Sequence, residues 1–321
     1  MKPIAEAYKD FPILERTHRG NRIAYLDSGA TTQIPVPVIK ALETHMTTHN
    51  GNPHRGAHVL AMDASEAYES TRDVVQRFIH ARKREEIIFT RNTTESLNLI
   101  AHSYALKHIK AGDKIVITVA EHHANLVTWQ FVCRVTGATL EYMYLDETGH
   151  IKDGEMDKID ASTKIVSFAH VSNVLGMEFP VKELVQRAHA VGAIAIVDGA
   201  QSTPHQSIDV QDLDCDFFVF SGHKMCASQG IGVVYGKYHL LEDMNPFLFG
   251  GDMIEYVKEQ TTTFNEVPYK FEAGTPNAHG AVTLKAAIEY LEQFGMDAIH
   301  EYEQELVRYV LPKLAEMPHI R

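Results

Sequence analysis

Three cysteines in 321 residues, Cys133, Cys215 and Cys226, are an odd number without metal-ligand spacing. That excludes a disulfide scaffold and leads us to expect a reduced, cytoplasmic setting. No apolar run approaches the ~18 residues of a membrane span. The opening MKPIAEAYKD lacks the apolar stretch of a signal peptide. Basic blocks are absent too: 30 Lys and Arg stand against 42 Asp and Glu, a formal charge of −12. Nucleic acid and anionic membrane are therefore not expected as partners. Internal repeats and low-complexity segments are missing. What remains is an ordinary globular balance, 45% hydrophobic and 22% charged, with room for one large α/β domain and a smaller one. Histidine, at 19 residues, is the exception. Its count raises the question of a metal. His54 and His58 have i, i+4 spacing, but Pro53 and Gly56 argue against a helix there, and no histidine pair brackets a carboxylate on a predicted helix. No metal site is expected.

The chain is best read around Phe217–Gly232. Phe217–Phe220 is apolar enough for a buried strand, and Ser221-Gly222 is turn chemistry that ends it. His223 and Lys224 follow at once, before a second apolar run over Gly230–Tyr235. Desolvation at such a strand end lowers a lysine's pKa and makes its amine a usable nucleophile. A Schiff-base lysine for pyridoxal phosphate (PLP) is the reading this suggests. An ordinary loop lysine would carry the same local sequence, so the rest of the chain decides.

Residues 1–20, with Pro3 and Pro12, read as an arm packing elsewhere on the molecule. Ile23–Leu26 is a strand candidate, ending in Asp27-Ser28-Gly29-Ala30-Thr31-Thr32, small residues that allow a backbone to approach a ligand. Tyr68, Thr71, Val75 and Phe78 mark one face of a helix. Ile87–Thr90 is a strand, and Arg91-Asn92-Thr93-Thr94-Glu95 opens a helix with Thr93 or Thr94 as its cap. Such a junction can hold a phosphate through free N–H groups and hydroxyls. The strand at Lys114–Val119 leads into Glu121-His122-His123-Ala124-Asn125, where one ring could stack on a planar ligand. The strand at Ile165–Val171 ends in Ser172-Asn173-Val174-Leu175-Gly176, and a helix begins near Lys182. Ala193–Val197 is wholly apolar and so predicts a central parallel strand. Asp198, at its end, needs a partner, and a protonated pyridine nitrogen would supply one. From about 87 to 220 this β-loop-α repetition predicts an α/β fold with a mostly parallel, doubly wound sheet and ligands at the strands' C-terminal edge. After an irregular stretch comes Phe271-Glu272-Ala273-Gly274-Thr275-Pro276-Asn277, then one helix on Leu284, Ile288 and Leu291 and another that Pro312 should kink.

In order, Y-L-D-S-G-A-T-T, H-R-G-A-H, T-T-E-S-L-N-L, E-H-H-A-N, H-V-S-N-V-L-G, V-D-G-A-Q, L-D-C-D-F-F-V-F-S-G-H-K and F-E-A-G-T-P-N resemble the fold-type I PLP enzymes of the class V aminotransferase family. Within it they are most similar to the cysteine desulfurase and selenocysteine lyase group. The resemblance implies a PLP-binding domain over 21–277, a smaller α+β domain opening at 278–321, and an arm (1–20) lying on the latter. It makes Lys224 the Schiff-base lysine, Asp198 the pyridine-nitrogen partner and His122 the ring-stacking residue. Gln201 would meet the ring hydroxyl, with Asn173 nearby. Thr93, Thr94, Ser221 and His223 would hold the phosphate, and Thr275 would come from a partner subunit, which implies a homodimer. The implied substrate is cysteine or selenocysteine, with a sulfur-acceptor protein as a possible partner. Other class V lyase or epimerase chemistry, or a non-catalytic partner-binding subunit, are the alternatives.

Two departures from the family pattern stand out. Lys224 is followed by Met225-Cys226-Ala227-Ser228-Gln229-Gly230 where an aromatic-Gly-Pro-Thr-Gly type of run is usual. The family's sulfur-accepting cysteine and carboxylate-gripping arginine also lie in a segment beyond Arg321. The resemblance therefore implies that residues 1–321 hold PLP but desulfurate cysteine poorly, and Cys226 is not expected to replace the acceptor.

Overall fold

The computed structural model describes residues 3–320. In chain order the strands are β1 (Thr17–His18), β2 (Asn21–Arg22), β3 (Ile87–Thr90), β4 (Lys114–Thr118), β5 (Thr139–Met143), β6 (Thr163–Ala169), β7 (Ile194–Asp198), β8 (Phe217–Ser221), β9 (Gly232–Gly236), β10 (Ile254–Val257) and β11 (Thr262–Phe264). The helices are α1 (Val36–Thr48), α2 (Val59–Phe78), α3 (Thr93–Ile100), α4 (Leu106–His108), α5 (Val127–Thr136), α6 (Val181–Ala190), α7 (Val210–Leu213), α8 (Tyr238–Asp243), α9 (Ala278–Glu292) and α10 (Met296–Ala315). A π turn, Ala101–Ala105, joins α3 to α4.

Seven strands form the main sheet in the order β3-β9-β8-β7-β6-β4-β5. β9 alone runs against its neighbours; all the others point the same way. The ends of β3, β4, β6, β7 and β8 therefore share one edge. β7 occupies the middle, parallel to β6 and β8, as its apolar sequence requires. Side chains alternate across the sheet with the period of two. Val197, Phe218 and Phe220 enter one core layer with Val75, Leu184 and Leu284 from α2, α6 and α9. Ile196, Phe217 and Val219 enter the other, with Leu97 and Trp129 from α3 and α5. Both faces are covered, the arrangement of a fold-type I PLP-dependent enzyme.

Local readings differ from the structure at two places. Ile23–Leu26 is not a strand: the short ladder there joins β1 with β2, and Leu26 is 95% exposed. Ile23 extends that ladder by one bond, its N–H to the Arg16 carbonyl at 3.1 Å, and among the described residues no strand pairs with 24–26. The cap of α3 is Asn92, whose Oδ1 accepts the Glu95 N–H at 2.9 Å. Asn92 precedes both threonines, and its extended backbone suits an N-cap. α10 continues through Pro312 to Ala315. Short 3-10 turns over Ile4–Asp10 and Pro12–Glu15 precede β1, and Phe11 packs edge-on against Tyr290 of α9 with ring centroids 6.1 Å apart.

Candidate active site

The shared strand edge opens into a cavity of about 410 Å³. Each predicted residue except Thr275 reaches it. Thr93 and Thr94 come from the start of α3, His122 from the turn after β4, and Asn173 from the loop after β6. Asp198 ends β7, with Gln201 just beyond, while Ser221, His223 and Lys224 follow from β8. Gly29 and Ala30 bring a backbone segment to the rim. Thr275 is exposed and lines a different cavity, beside Pro276 and Phe247.

Asp198 is the electrostatic centre of the pocket. It is 5% exposed, and burial raises its carboxyl above the usual value despite the Ala200 N–H at 3.0 Å and the nearby charges of Lys224 and His122. A buried carboxylate with one N–H bond calls for a cation. Lys224 is half-buried, and burial lowers its ammonium pKa more than Asp198 raises it. The amine is thereby nearer to its nucleophilic form. Gly199 lets the chain turn directly after Asp198, because a Cβ there would collide with the Phe218 ring.

His122 faces the cavity, and partial burial lowers its pKa, with Lys224 acting in the same sense. Its Nδ1 accepts the Ala124 N–H at 3.1 Å, so the neutral ring carries its proton on Nε2. Beneath it lies a network that the sequence reading missed. Glu121, fully buried, accepts from Thr118 Oγ1 at 2.5 Å and Asn125 Nδ2 at 2.6 Å. Burial pushes its carboxyl up to about 7, against the pull of those two bonds. Asn125 Oδ1 in turn accepts from Trp129 Nε1 and Ser167 Oγ. An Asn and a Trp four residues apart, directly after the paired histidines, was the available signal.

At the other end of the pocket Thr93 donates its N–H to Ser221 Oγ at 2.7 Å, and the two hydroxyls lie 2.7 Å apart. Two strand ends are thus joined where N–H groups and hydroxyls can meet an anion. Gln201 Nε2 donates to the Gly29 carbonyl at 2.7 Å. The three cysteines stand apart from this cavity. Burial raises all three thiols, Cys133 and Cys226 to about 11 and Cys215 further. Among the described residues no three His, Cys, Asp or Glu side chains gather as a metal-binding group, and no helix is long and apolar enough to cross a membrane.

A lysine amine, a buried carboxylate and an anion-receptive turn on the C-terminal edge of this sheet define a PLP-dependent enzyme of fold type I. The profile described as Aminotransferase class-V matches residues 24–321. A probable cysteine desulfurase of Halalkalibacterium halodurans is 51% identical over 313 residues, covering 97% of this chain and 77% of the relative. One from Synechocystis sp. is 47% identical over 319 residues, covering 99% and 76%. The apo structure of a cysteine desulfurase from Thermococcus onnurineus superposes with a TM-score of 0.92 at 39% identity, covering 98% of this chain and 77% of that one. The chain belongs to the class V aminotransferase family.

Proposed function

We propose that the chain is a PLP-dependent cysteine desulfurase that removes sulfur from L-cysteine, leaves L-alanine, and passes the sulfur to an acceptor thiol. One observation carries this: the buried carboxylate of Asp198 and the amine of Lys224 line one cavity with an anion-receptive turn. PLP has the matching parts: a pyridine nitrogen that can be cationic, an aldehyde and a phosphate. The cavity, about 410 Å³, falls in the ordinary range for a small-molecule site.

In this reading Asp198 would pair with the pyridine nitrogen and keep it protonated, Gln201 and Asn173 would serve the ring's polar edge, and His122 would contact the ring. Thr93, Thr94, Ser221 and His223 would hold the phosphate, and Lys224 would be the residue that binds the cofactor covalently. Bound PLP supplies an electron sink for the carbanion formed at the substrate's α-carbon. Lys224 Nζ, its pKa lowered by burial, accepts and returns the proton there. His122 Nε2–H is placed to donate a proton toward the pocket. The acceptor thiol is none of Cys133, Cys215 and Cys226, since none lines this cavity and burial disfavours all three thiolates.

The chain works as a homodimer in the cytoplasm, on this view, with Thr275 serving the partner's phosphate. Its exposure away from its own pocket supports that, as do exposed Val59, Met62 and Phe249. The test is to supply PLP, L-cysteine and dithiothreitol and to measure alanine and sulfide. Equal amounts of the two are expected. Pyruvate with ammonia in place of alanine and sulfide, or a chain that takes up no PLP, would refute the assignment.

A further inference from the structure

The segment Thr31-Thr32 touches the lysine-bearing turn from outside the pocket and is tied to it by a close set of hydrogen bonds. Thr32 donates its N–H to the His223 carbonyl at 2.9 Å, and its Oγ1 lies 3.0 Å from the same oxygen. The Cys226 N–H points at Thr32 Oγ1 at 2.8 Å, using a lone pair there. The Thr32 hydroxyl proton is left for the His223 carbonyl or the Cys226 thiol. Thr31 Oγ1 also approaches that oxygen, at 3.1 Å, but it lies 3.2 Å from His223 Nδ1 as well. The Thr32 N–H already takes one lone pair of that carbonyl, which leaves Nδ1 as a place for the one Thr31 proton. The Thr31 carbonyl is itself anchored, accepting from Tyr25 OH at 2.6 Å.

We propose that Thr31 and Thr32 are positioning residues: Thr31 fixes the His223 tautomer that presents Nε2–H to the anion end of the pocket, and Thr32 clamps the backbone on both sides of Lys224. The inference rests on the reading of this pocket as a PLP site. Its logic is local. A neutral imidazole offers a donor on one nitrogen and an acceptor on the other. The opposite tautomer, with Nδ1–H bound to Thr31, would turn a lone pair toward a phosphate and repel it. Burial, with Lys224 alongside, lowers the His223 pKa and so favours the neutral ring, in which the tautomer matters.

The experiment uses the PLP-loaded enzyme labelled with ¹⁵N-histidine. Long-range ¹H–¹⁵N spectra, with His223 assigned by comparison with His223→Gln, are expected to show its Nε2 protonated and its Nδ1 bare. Thr31→Val should raise the Kd for PLP about tenfold, the equivalent of one hydrogen bond to a charged group. Thr31→Ser should restore it to within about twofold. A protonated Nδ1 in the unsubstituted enzyme, or an unchanged Kd in Thr31→Val, would overturn the role of Thr31. Should Thr31→Val fail to fold, the tautomer of the unsubstituted enzyme decides by itself. If the unsubstituted chain develops no visible PLP band at all, the reading of the pocket fails, and this inference with it.

Discussion

Replacing Arg72 should unfold this protein more readily than any surface change, although Arg72 lies outside the pocket. Its side chain is 1% exposed and pairs with Glu272, 5% exposed, across 200 residues of sequence. The five donors of the guanidinium are all engaged: two with Glu272 at 2.9 Å, two with Glu69 at 3.2 and 3.3 Å, and one with the Ile87 carbonyl at 2.6 Å. Glu272 also accepts from Tyr68 OH at 2.8 Å and the Phe89 N–H at 2.7 Å. The pair thus fastens α2, β3 and the start of the loop that carries Thr275. Arg72→Met keeps much of the volume but strands a carboxylate in the core, which costs about 3–5 kcal/mol. Glu272→Gln in that background removes the stranded charge and keeps an acceptor for the Phe89 N–H. The double variant should therefore be more stable than Arg72→Met alone, with a coupling of about 2 kcal/mol. Urea unfolding of the four forms gives the cycle. An Arg72→Met cost below about 1 kcal/mol, or a double variant equal to the sum of the singles, would refute the reasoning.

Other consequences are more direct. Lys224→Ala should eliminate borohydride trapping of PLP on the protein, and persistence of the trapped adduct would move the covalent link elsewhere. Asp198→Ala should lower desulfuration by roughly 100-fold while PLP remains bound through the phosphate end, because the carboxylate acts on the ring's electronics; normal turnover would contradict its assignment. Glu69 is held at about 2, where hydrogen bonds from His54 and Arg72 and their charges outweigh burial, which alone would raise it. A folded-state value below the unfolded one stabilises above the ordinary range near ~4.3 and is lost as pH falls toward 2. The urea midpoint should accordingly drop between about pH 4 and pH 2, and Glu69→Gln should flatten that fall.

Legibility in the sequence followed the range of the forces involved. Ala193–Val197 could be placed at the centre of the sheet because a strand buried on both faces must be apolar throughout. The position of Asp198 at its end then followed from counting residues. The turns at Asn92–Glu95, Glu121–Asn125 and Ser221–Lys224 carried the same kind of local signal, and all three open onto the cavity. Ile23–Leu26 had strand chemistry without a sheet edge, a fact that no local pattern contains. Arg72 with Glu272, and Thr32 with His223 and Cys226, join segments some 190 to 200 residues apart. Their bonds follow no period and were invisible.

Cys226 shows how such a distant contact can bear on a local oddity. Cys226 carries its side chain at a backbone φ of 69°, in the left-handed region that favours glycine. A side chain in that conformation costs about 1 kcal/mol relative to glycine. Two features of the structure offset it: the Cys226 side chain is buried against the core, and its N–H is held by Thr32 Oγ1. A glycine would reach this turn without help, whereas cysteine needs the turn fixed from outside. The left-handed residue two places after Lys224 and the hydroxyl of Thr32 are therefore coupled, and both border the turn that carries Lys224.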